Sequence, residues 1–217
     1  MIIRRFETYY WQSNMYLIID KDRCVIIDPC ELQEAEALLV KNNIMPDYAL
    51  LTHEHCDHIT GVDWARSHGS KIICSAVCAG KIKDSRLNAA YYYNDSSQVQ
   101  KKLKGIKVPI PEDFTCYADI YFEKSLVIEW QGHSIKLVET PGHSSGSICI
   151  LFDEDTLFAG DTLLEDEPTN TRFPSGSQKQ FYDITFPWIK MLSKDTKVYP
   201  GHFREFNLMD RLKKDFS

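Results

Sequence analysis

Apolar and polar residues along the first fifty positions predict strands before any helix. Segments rich in β-branched and aromatic residues run over Ile2–Tyr10, Asn14–Asp20 and Arg23–Asp28, and polar residues separate them. Residues 31–41 carry leucine and alanine at helical spacing, and the short uncharged run Tyr48–Leu51 is typical of a buried strand. The chain therefore opens with strands and then begins to alternate strand, helix and strand.

Beyond this point the alternation continues on both sides of one irregular stretch. Residues 84–118 contain a polar run, four lysines and two prolines, and we interpret them as an irregular insertion or lid within a single domain of residues 1–217. The other predicted elements are helices at Val62–Ser67, Ala76–Lys83 and Phe181–Leu192, the last kinked or divided by Pro187, and strands at Lys71–Cys74, Leu126–Trp130, Ser134–Glu139, Ser147–Phe152, Thr156–Ala159 and Lys197–Tyr199.

The composition narrows the class of protein. Hydrophobic residues make up 43% of the chain, enough for a substantial core, and the formal net charge of -6 disfavours nucleic-acid binding, which needs a basic face. No signal peptide is visible and no apolar run is long enough to span a membrane, so we expect a cytoplasmic protein without a membrane segment. The seven cysteines are odd in number and scattered, which predicts reduced thiols.

Candidate chemistry is concentrated in Thr52-His53-Glu54-His55-Cys56-Asp57-His58, directly after the strand Tyr48–Leu51. Imidazole and carboxylate groups are the usual ligands of zinc and related divalent metals. Three later strand ends each place one such residue beside a glycine, in Gly142-His143, Gly160-Asp161 and Gly201-His202. Each of these pairs alone is typical of a turn. Five of the seven histidines fall in the four places, however, and together they predict a metal site.

This ordered set resembles the metallo-β-lactamase-fold hydrolases, over nearly the whole chain from Met1 to about Phe206. The segments Thr140–Ser147, Leu157–Leu163 and Val198–His202 are similar to the glyoxalase II-like (hydroxyacylglutathione hydrolase-like) branch. The resemblance implies an α/β fold, an αββα four-layer sandwich in which two mixed sheets lie face to face with helices outside.

The resemblance also implies two divalent metal ions, with zinc expected and iron or manganese left open. Its ligand sets are His53, His55 and His143 for one ion, Asp57, His58 and His202 for the other, and Asp161 bridging both. Asp57 would in addition be catalytic, by steering the nucleophile or carrying a proton to the leaving group. Asp28 would orient a ligand histidine through its ring N–H, or would only cap its strand.

Two further residues are candidate substrate contacts. Arg172 matches a family arginine in position. Tyr93 belongs to the run Tyr91–Tyr93, for which we favour local packing over a substrate wall. Glyoxalase II itself carries an added helical C-terminal domain, whereas 15 residues follow His202 here. The acidic run 165–167 is also unusual for the family, and we favour a solvated loop there.

The function implied by the resemblance is hydrolysis of a small thioester or ester, glyoxalase II-like, by a metal-bound hydroxide. Three alternatives remain: a lactonase or other carboxylic-ester hydrolase, a mononuclear iron sulfur dioxygenase, and a non-catalytic member that binds metal or a partner. The expected partner is a small-molecule substrate, and the oligomeric state is open.

Overall fold

The computed structural model describes residues 1–95 and 108–215, which divide into two compact units. The first comprises residues 1–74 and 78–121, and the second comprises residues 75–77 and 122 onward. Each unit is built around one six-stranded sheet. Residues 96–107 of the predicted insertion, with its four lysines, lie outside the described residues, so the lid stays a prediction, as does the single domain.

The sheet of the first unit has its strands in sequence order. Its strands are β1 (Ile2–Glu7), β2 (Asn14–Asp20), β3 (Arg23–Ile27), β4 (Met45–Leu50), β5 (Lys71–Ser75) and β6 (Ile120–Phe122). β1, β2 and β3 pair antiparallel, whereas β3, β4 and β5 pair parallel. The carboxyl ends of β3, β4 and β5 therefore lie at one edge of the sheet, where sites in α/β proteins are usually built.

Short helices connect these strands. They are α1 (Gln33–Asn42), α2 (Val62–Ser67), α3 (Ala76–Lys81), α4 (Ala90–Tyr93) and a 3₁₀ turn at Cys56–His58. Buried residues of β2, β3 and β4 form a continuous apolar core with α1 and α2, including Leu17, Ile26, Leu39, Ala49 and Ala65. This core fixes the strand ends from which the candidate site emerges.

In the second unit the strand order is β12-β11-β10-β9-β8-β7. The strands are β7 (Ser125–Trp130), β8 (His133–Glu139), β9 (Ile148–Phe152), β10 (Thr156–Gly160), β11 (Lys197–Pro200) and β12 (Phe206–Asn207). β8 and β10 both pair antiparallel with β9, and β10 pairs parallel with β11. β8, β10 and β11 thus run in one direction and deliver their carboxyl ends to one edge.

One continuous helical stretch follows β10 in sequence. It consists of α5 (Gln178–Gln180), a π-helical turn (Phe181–Thr185) and α6 (Phe186–Met191), and α7 (Leu208–Asp215) follows β12. The helix type changes from π to α directly before Pro187, where proline removes a backbone donor, but the helical stretch is not interrupted.

The predicted strands and all four predicted helices are confirmed, with bounds that agree or differ by a few residues. β1 ends at Glu7 rather than Tyr10 because Thr8 N donates to the Ser13 carbonyl and closes a turn. β6, β12 and α4 were not predicted, since two to four residues are too few to show a period.

The cysteines behave as predicted. All seven are buried and none forms a disulfide. Burial raises the pKa of the Cys24 and Cys149 thiols to about 12, so they stay protonated and unreactive. In the part of the chain that the structure describes, no helix is both long and apolar enough to cross a bilayer.

Candidate metal centre

The first group of candidate ligands, His53, His55, Asp57 and His58, leaves the carboxyl end of β4 as one tight loop, hereafter the first cluster. All four side chains are buried, with 6% or less of their surface exposed. The His53 ring centroid lies 4.6 Å from that of His55 and 4.4 Å from that of His58. The loop therefore gathers three imidazoles and one carboxylate in a small volume.

Asp28, at the neighbouring strand end of β3, holds two of these histidines in one tautomer. Its Oδ1 accepts from Thr52 N at 2.7 Å, and its Oδ2 accepts from Thr52 Oγ1 at 2.7 Å. Oδ2 also lies 2.9 Å from Nδ1 of His58. In the neutral ring that Nδ1 must carry the proton, which leaves the lone pair on Nε2.

The same chain of hydrogen bonds reaches His53. Thr52 Oγ1 uses its single hydrogen on Asp28, so it can only accept from Nδ1 of His53, which lies 3.0 Å away. The His53 lone pair is then on Nε2 as well. Asp28 thus sets which ring nitrogen of two candidate ligand histidines carries the lone pair, one directly and one through a hydroxyl group. Its backbone φ of +50°, rare outside glycine, aims the carboxylate into this position.

Two contacts on the backbone of the first cluster had no signal in the sequence. The Ser13 hydroxyl donates to the Asp57 carbonyl at 2.8 Å, and Cys56 N donates to the Asn88 carbonyl at 2.8 Å. Both partners are buried and distant in sequence. The Asp57 carboxylate itself has Oδ2 at 3.3 Å from Nε2 of His58. The neighbouring Cys56 thiol is fully buried, and burial raises its pKa well above the usual value, which argues against a nucleophilic role.

Glu54 was not among the predicted site residues either. Its side chain is 0% exposed, and Oε1 lies 2.8 Å from Nζ of Lys81 at the end of α3. Burial alone would raise the pKa of this carboxyl, but the charges of His55 and Lys81 lower it below the usual value. An ionised Glu54 is therefore held inside the first unit between two candidate ligands.

Gly61 lets the segment after the first cluster pack closely against the end of β3. A Cβ at this position would lie 2.5 Å from Cys30 Cα and 2.6 Å from Cys30 N. Gly61 N also donates to the Pro29 carbonyl at 2.8 Å. The glycine is required by this close approach of two backbones and not by a left-handed φ.

The second group of candidate ligands, His143, Asp161 and His202, comes from three separate strand ends in the second unit, hereafter the second cluster. Nε2 of His143 lies 3.5 Å from Asp161 Oδ2, and Nε2 of His202 lies 3.4 Å from the same oxygen. Nδ1 of His143 faces the Asn170 carbonyl at 3.0 Å and donates to it in the neutral ring, so Nε2 again carries the lone pair. Gly142 is needed here because a Cβ would lie 2.8 Å from Phe181 Cβ.

The remaining predicted residues lie in different surroundings. Arg172 is exposed, next to the segment that supports His143. Tyr93 is buried, with its ring centroid 6.1 Å from that of Tyr10 and 4.9 Å from that of Trp11, as the packing interpretation predicted. His68 and His133 contact the carboxylates of Glu36 and Asp153 outside both clusters.

Both clusters present imidazole nitrogens and carboxylate oxygens, the donors that zinc, iron and manganese accept. In the first unit, ligand atoms of Asp28, His53 and His58 lie within 4.8 Å of one another. Because both Asp28 oxygens already accept hydrogen bonds from Thr52, we assign this aspartate to orienting the histidines. The residues present therefore fit divalent metal binding.

Comparison with known proteins agrees with this chemistry. Residues 8–202 match a family model described as the metallo-beta-lactamase superfamily. A hydroxyacylglutathione hydrolase of Francisella tularensis subsp. tularensis (strain WY96-3418) is 28% identical over 202 residues, which cover 93% of this chain and 67% of that protein. The chain thus spans about two thirds of the length of this curated relative.

Two solved structures are similar over almost the entire chain. The BLEG-1 B3 metallo-beta-lactamase is 25% identical with a TM-score of 0.76, covering 98% of this chain and 97% of that one. TTHA1623, solved in a di-iron-bound form, is 20% identical with a TM-score of 0.77, covering 97% of both chains. These likenesses confirm the predicted fold class.

Proposed function

Because the chain belongs to the metallo-β-lactamase superfamily, we propose that it is a metal-dependent hydrolase of a small thioester or ester. The observation that carries this proposal is the hydrogen-bond chain from Asp28, which leaves the lone pairs of His53 and His58 on Nε2. A chain whose histidines served only packing would have no need to fix their tautomers from a shared carboxylate. The name of the curated relative, hydroxyacylglutathione hydrolase, favours a thioester of a hydroxy acid.

We assign the seven predicted ligands to two divalent ions, zinc being expected. The assignment is His53, His55 and His143 to one ion, Asp57, His58 and His202 to the other, and Asp161 to both. When bound, such a pair of ions would lower the pKa of a water towards about 7 and polarise a carbonyl oxygen.

The chain's own residues prepare that chemistry. Asp28 and Thr52 fix the orientation of two imidazoles and the ring nitrogen that faces away from them, and the Asn170 carbonyl does the same for His143. The low exposure of the first cluster excludes bulk water, which strengthens every electrostatic interaction within it. Asp57, with one oxygen 3.3 Å from His58 Nε2, is the carboxylate that we assign to steering the nucleophile and moving a proton.

Metal analysis of the chain purified without added metal tests the centre itself. We expect two zinc-type ions per chain, and loss of one of them in the variant His53→Ala/His143→Ala, which removes two of the three histidines assigned to that ion. His133→Ala is the matched control, since His133 pairs with Asp153 outside both clusters and its loss should leave the metal content unchanged. A single iron per chain, with oxygen consumed on a persulfide substrate, would contradict the hydrolase and favour the sulfur dioxygenase.

Substrate class is tested by a panel of thioesters, carboxylic esters, lactones and phosphodiesters at fixed zinc concentration. We expect turnover of acyl thioesters, including acylglutathiones, to exceed that of the other classes. Preferential turnover of lactones would contradict the thioester proposal and favour a lactonase. No turnover of any class by the fully metal-loaded chain would favour a non-catalytic member.

A further inference from the structure

Glu54 and Lys81 form a buried ion pair directly behind the first cluster. Glu54 stands between His53 and His55 in sequence, is 0% exposed, and meets the Lys81 ammonium at 2.8 Å. Lys81 is only 15% exposed and comes from α3, a different element of the same unit. Neither residue belongs to the ligand set assigned above.

The position of the pair follows from backbone geometry. Glu54 lies at a bend of the chain and is joined by peptide bonds to both His53 and His55. The rings of the two histidines lie with their centroids 4.6 Å apart, while the Glu54 carboxylate meets Lys81. A tether on Glu54 therefore sets how both imidazoles are presented.

Because the Glu54–Lys81 contact is an ion pair, it constrains the position of the Glu54 side chain more than an apolar contact would. A carboxylate withdrawn from water needs a partner, and removing one member of a buried pair leaves an uncompensated charge. Loss of Lys81 removes the contact that fixes the position of the Glu54 carboxylate, and the peptide bonds on either side of Glu54 pass a shift of this residue on to the two histidines. An apolar pair of similar size would fill the same space without this directional constraint.

We propose that the Glu54–Lys81 ion pair is a positioning device that holds His53 and His55 in the arrangement needed to bind metal. The inference rests on the proposed metal site and adds two residues to it. Neither residue touches the reacting atoms, so both act through the histidines beside them.

The experiment compares zinc affinity with the stability of the metal-free chain. Zinc affinity is measured by competition with a chromophoric chelator, and stability by urea unfolding of the metal-free protein. The variants are Lys81→Met, Lys81→Arg and the double variant Glu54→Met/Lys81→Met. Lys83→Met is the matched control, since Lys83 is an exposed lysine two residues further on and its removal changes the net charge equally.

We expect Lys81→Met to weaken zinc binding by roughly 10–100-fold, as loss of a residue that orients a ligand does. Lys81→Arg keeps the charge-assisted bond and should recover most of the affinity. The double variant should regain the stability of the metal-free chain but not its zinc affinity. Lys83→Met should match the wild type in both measurements.

Two results would overturn the inference. Wild-type zinc affinity in Lys81→Met would show that the pair does not position the ligands. Recovery of affinity together with stability in the double variant would show that the pair only fills space. A wild-type chain that binds no zinc, in contrast, would overturn the proposed metal function itself.

Discussion

The two clusters reach similar donor sets by different routes. In the first, three histidines and an aspartate come from one loop of six residues and are oriented by side chains, above all that of Asp28. In the second, His143, Asp161 and His202 come from three strand ends up to 59 positions apart, and the Asn170 backbone carbonyl supports His143. Substitution of the residues that support the first cluster should therefore change metal affinity more than substitution of those that support the second. This comparison does not include the ligands themselves.

The common carboxylate of the second cluster gives the largest expected effect. Asp161 Oδ2 lies 3.5 Å from His143 Nε2 and 3.4 Å from His202 Nε2, and we assign it to both ions. Asp161→Ala should remove both ions and lower the hydrolytic rate by roughly 100–1000-fold or more. Metal analysis and steady-state kinetics measure this, with Asp153→Ala as the control outside both clusters. Retention of one or both ions would contradict the bridging assignment.

The second prediction compares a side chain that orients histidines, that of Asp28, with a backbone carbonyl that does so, that of Asn170. Asp28→Asn puts an amide where Oδ1 and Oδ2 together accept hydrogen bonds from Thr52 and His58, and its NH₂ group cannot accept them. We expect zinc affinity to fall by roughly 10–100-fold. Asn170→Ala keeps the carbonyl that faces His143, so the affinity should change little.

Chelator competition on both variants decides between these expectations. An equal loss of affinity in the two would mean that the clusters do not differ in how they are supported. An unchanged zinc affinity in Asp28→Asn would mean that Asp28 only caps its strand.

The same contrast explains what the sequence could predict. The first cluster is contiguous, so its candidate ligands and the strand before it could be predicted from their spacing. The candidate ligands of the second cluster were each predicted from a neighbouring glycine at a strand end. The supports of the first cluster were not visible, because Ser13, Asn88 and Lys81 meet it only after the sheet has formed. A buried glutamate between two ligands is a usable signal, since a charge inside a core requires a partner.

Close packing around the first cluster predicts an effect on stability. Gly61→Ala places a Cβ about 2.5 Å from Cys30 backbone atoms, which cannot move independently of β3, so it should destabilise the fold by roughly 1–3 kcal/mol. Gly80→Ala is the matched control in α3, where a Cβ meets nothing within 4 Å, and should stabilise by up to about 1 kcal/mol. Urea unfolding measures both. Equal effects in the two variants would contradict the close approach at Gly61.

The smallest expected effect concerns His68, which lies outside both clusters. Its protonation can be compared with that of the histidines within them. His68 faces the Trp64 carbonyl with Nδ1 at 2.9 Å and the Glu36 carboxylate with Nε2 at 3.0 Å. Both partners are acceptors, so only the protonated ring satisfies them, and these contacts, that to Trp64 foremost, raise the His68 pKa. No lone pair is then left for a metal, whereas the Asp28 chain leaves one on each ring that it orients.

The raised pKa has a definite consequence for stability. The contribution of His68 is complete below its unfolded pKa of about 6.5 and is lost as the pH rises through the folded value. The ring is partly exposed, so we expect only a few tenths of a kcal/mol, seen as a smaller drop in the free energy of unfolding from pH 6 to pH 9 in metal-free His68→Gln than in the wild type. Zinc affinity should not change in this variant. A parallel pH dependence in both proteins would mean that His68 is neutral in the fold, and the difference between structural and metal-binding histidines would then no longer rest on protonation.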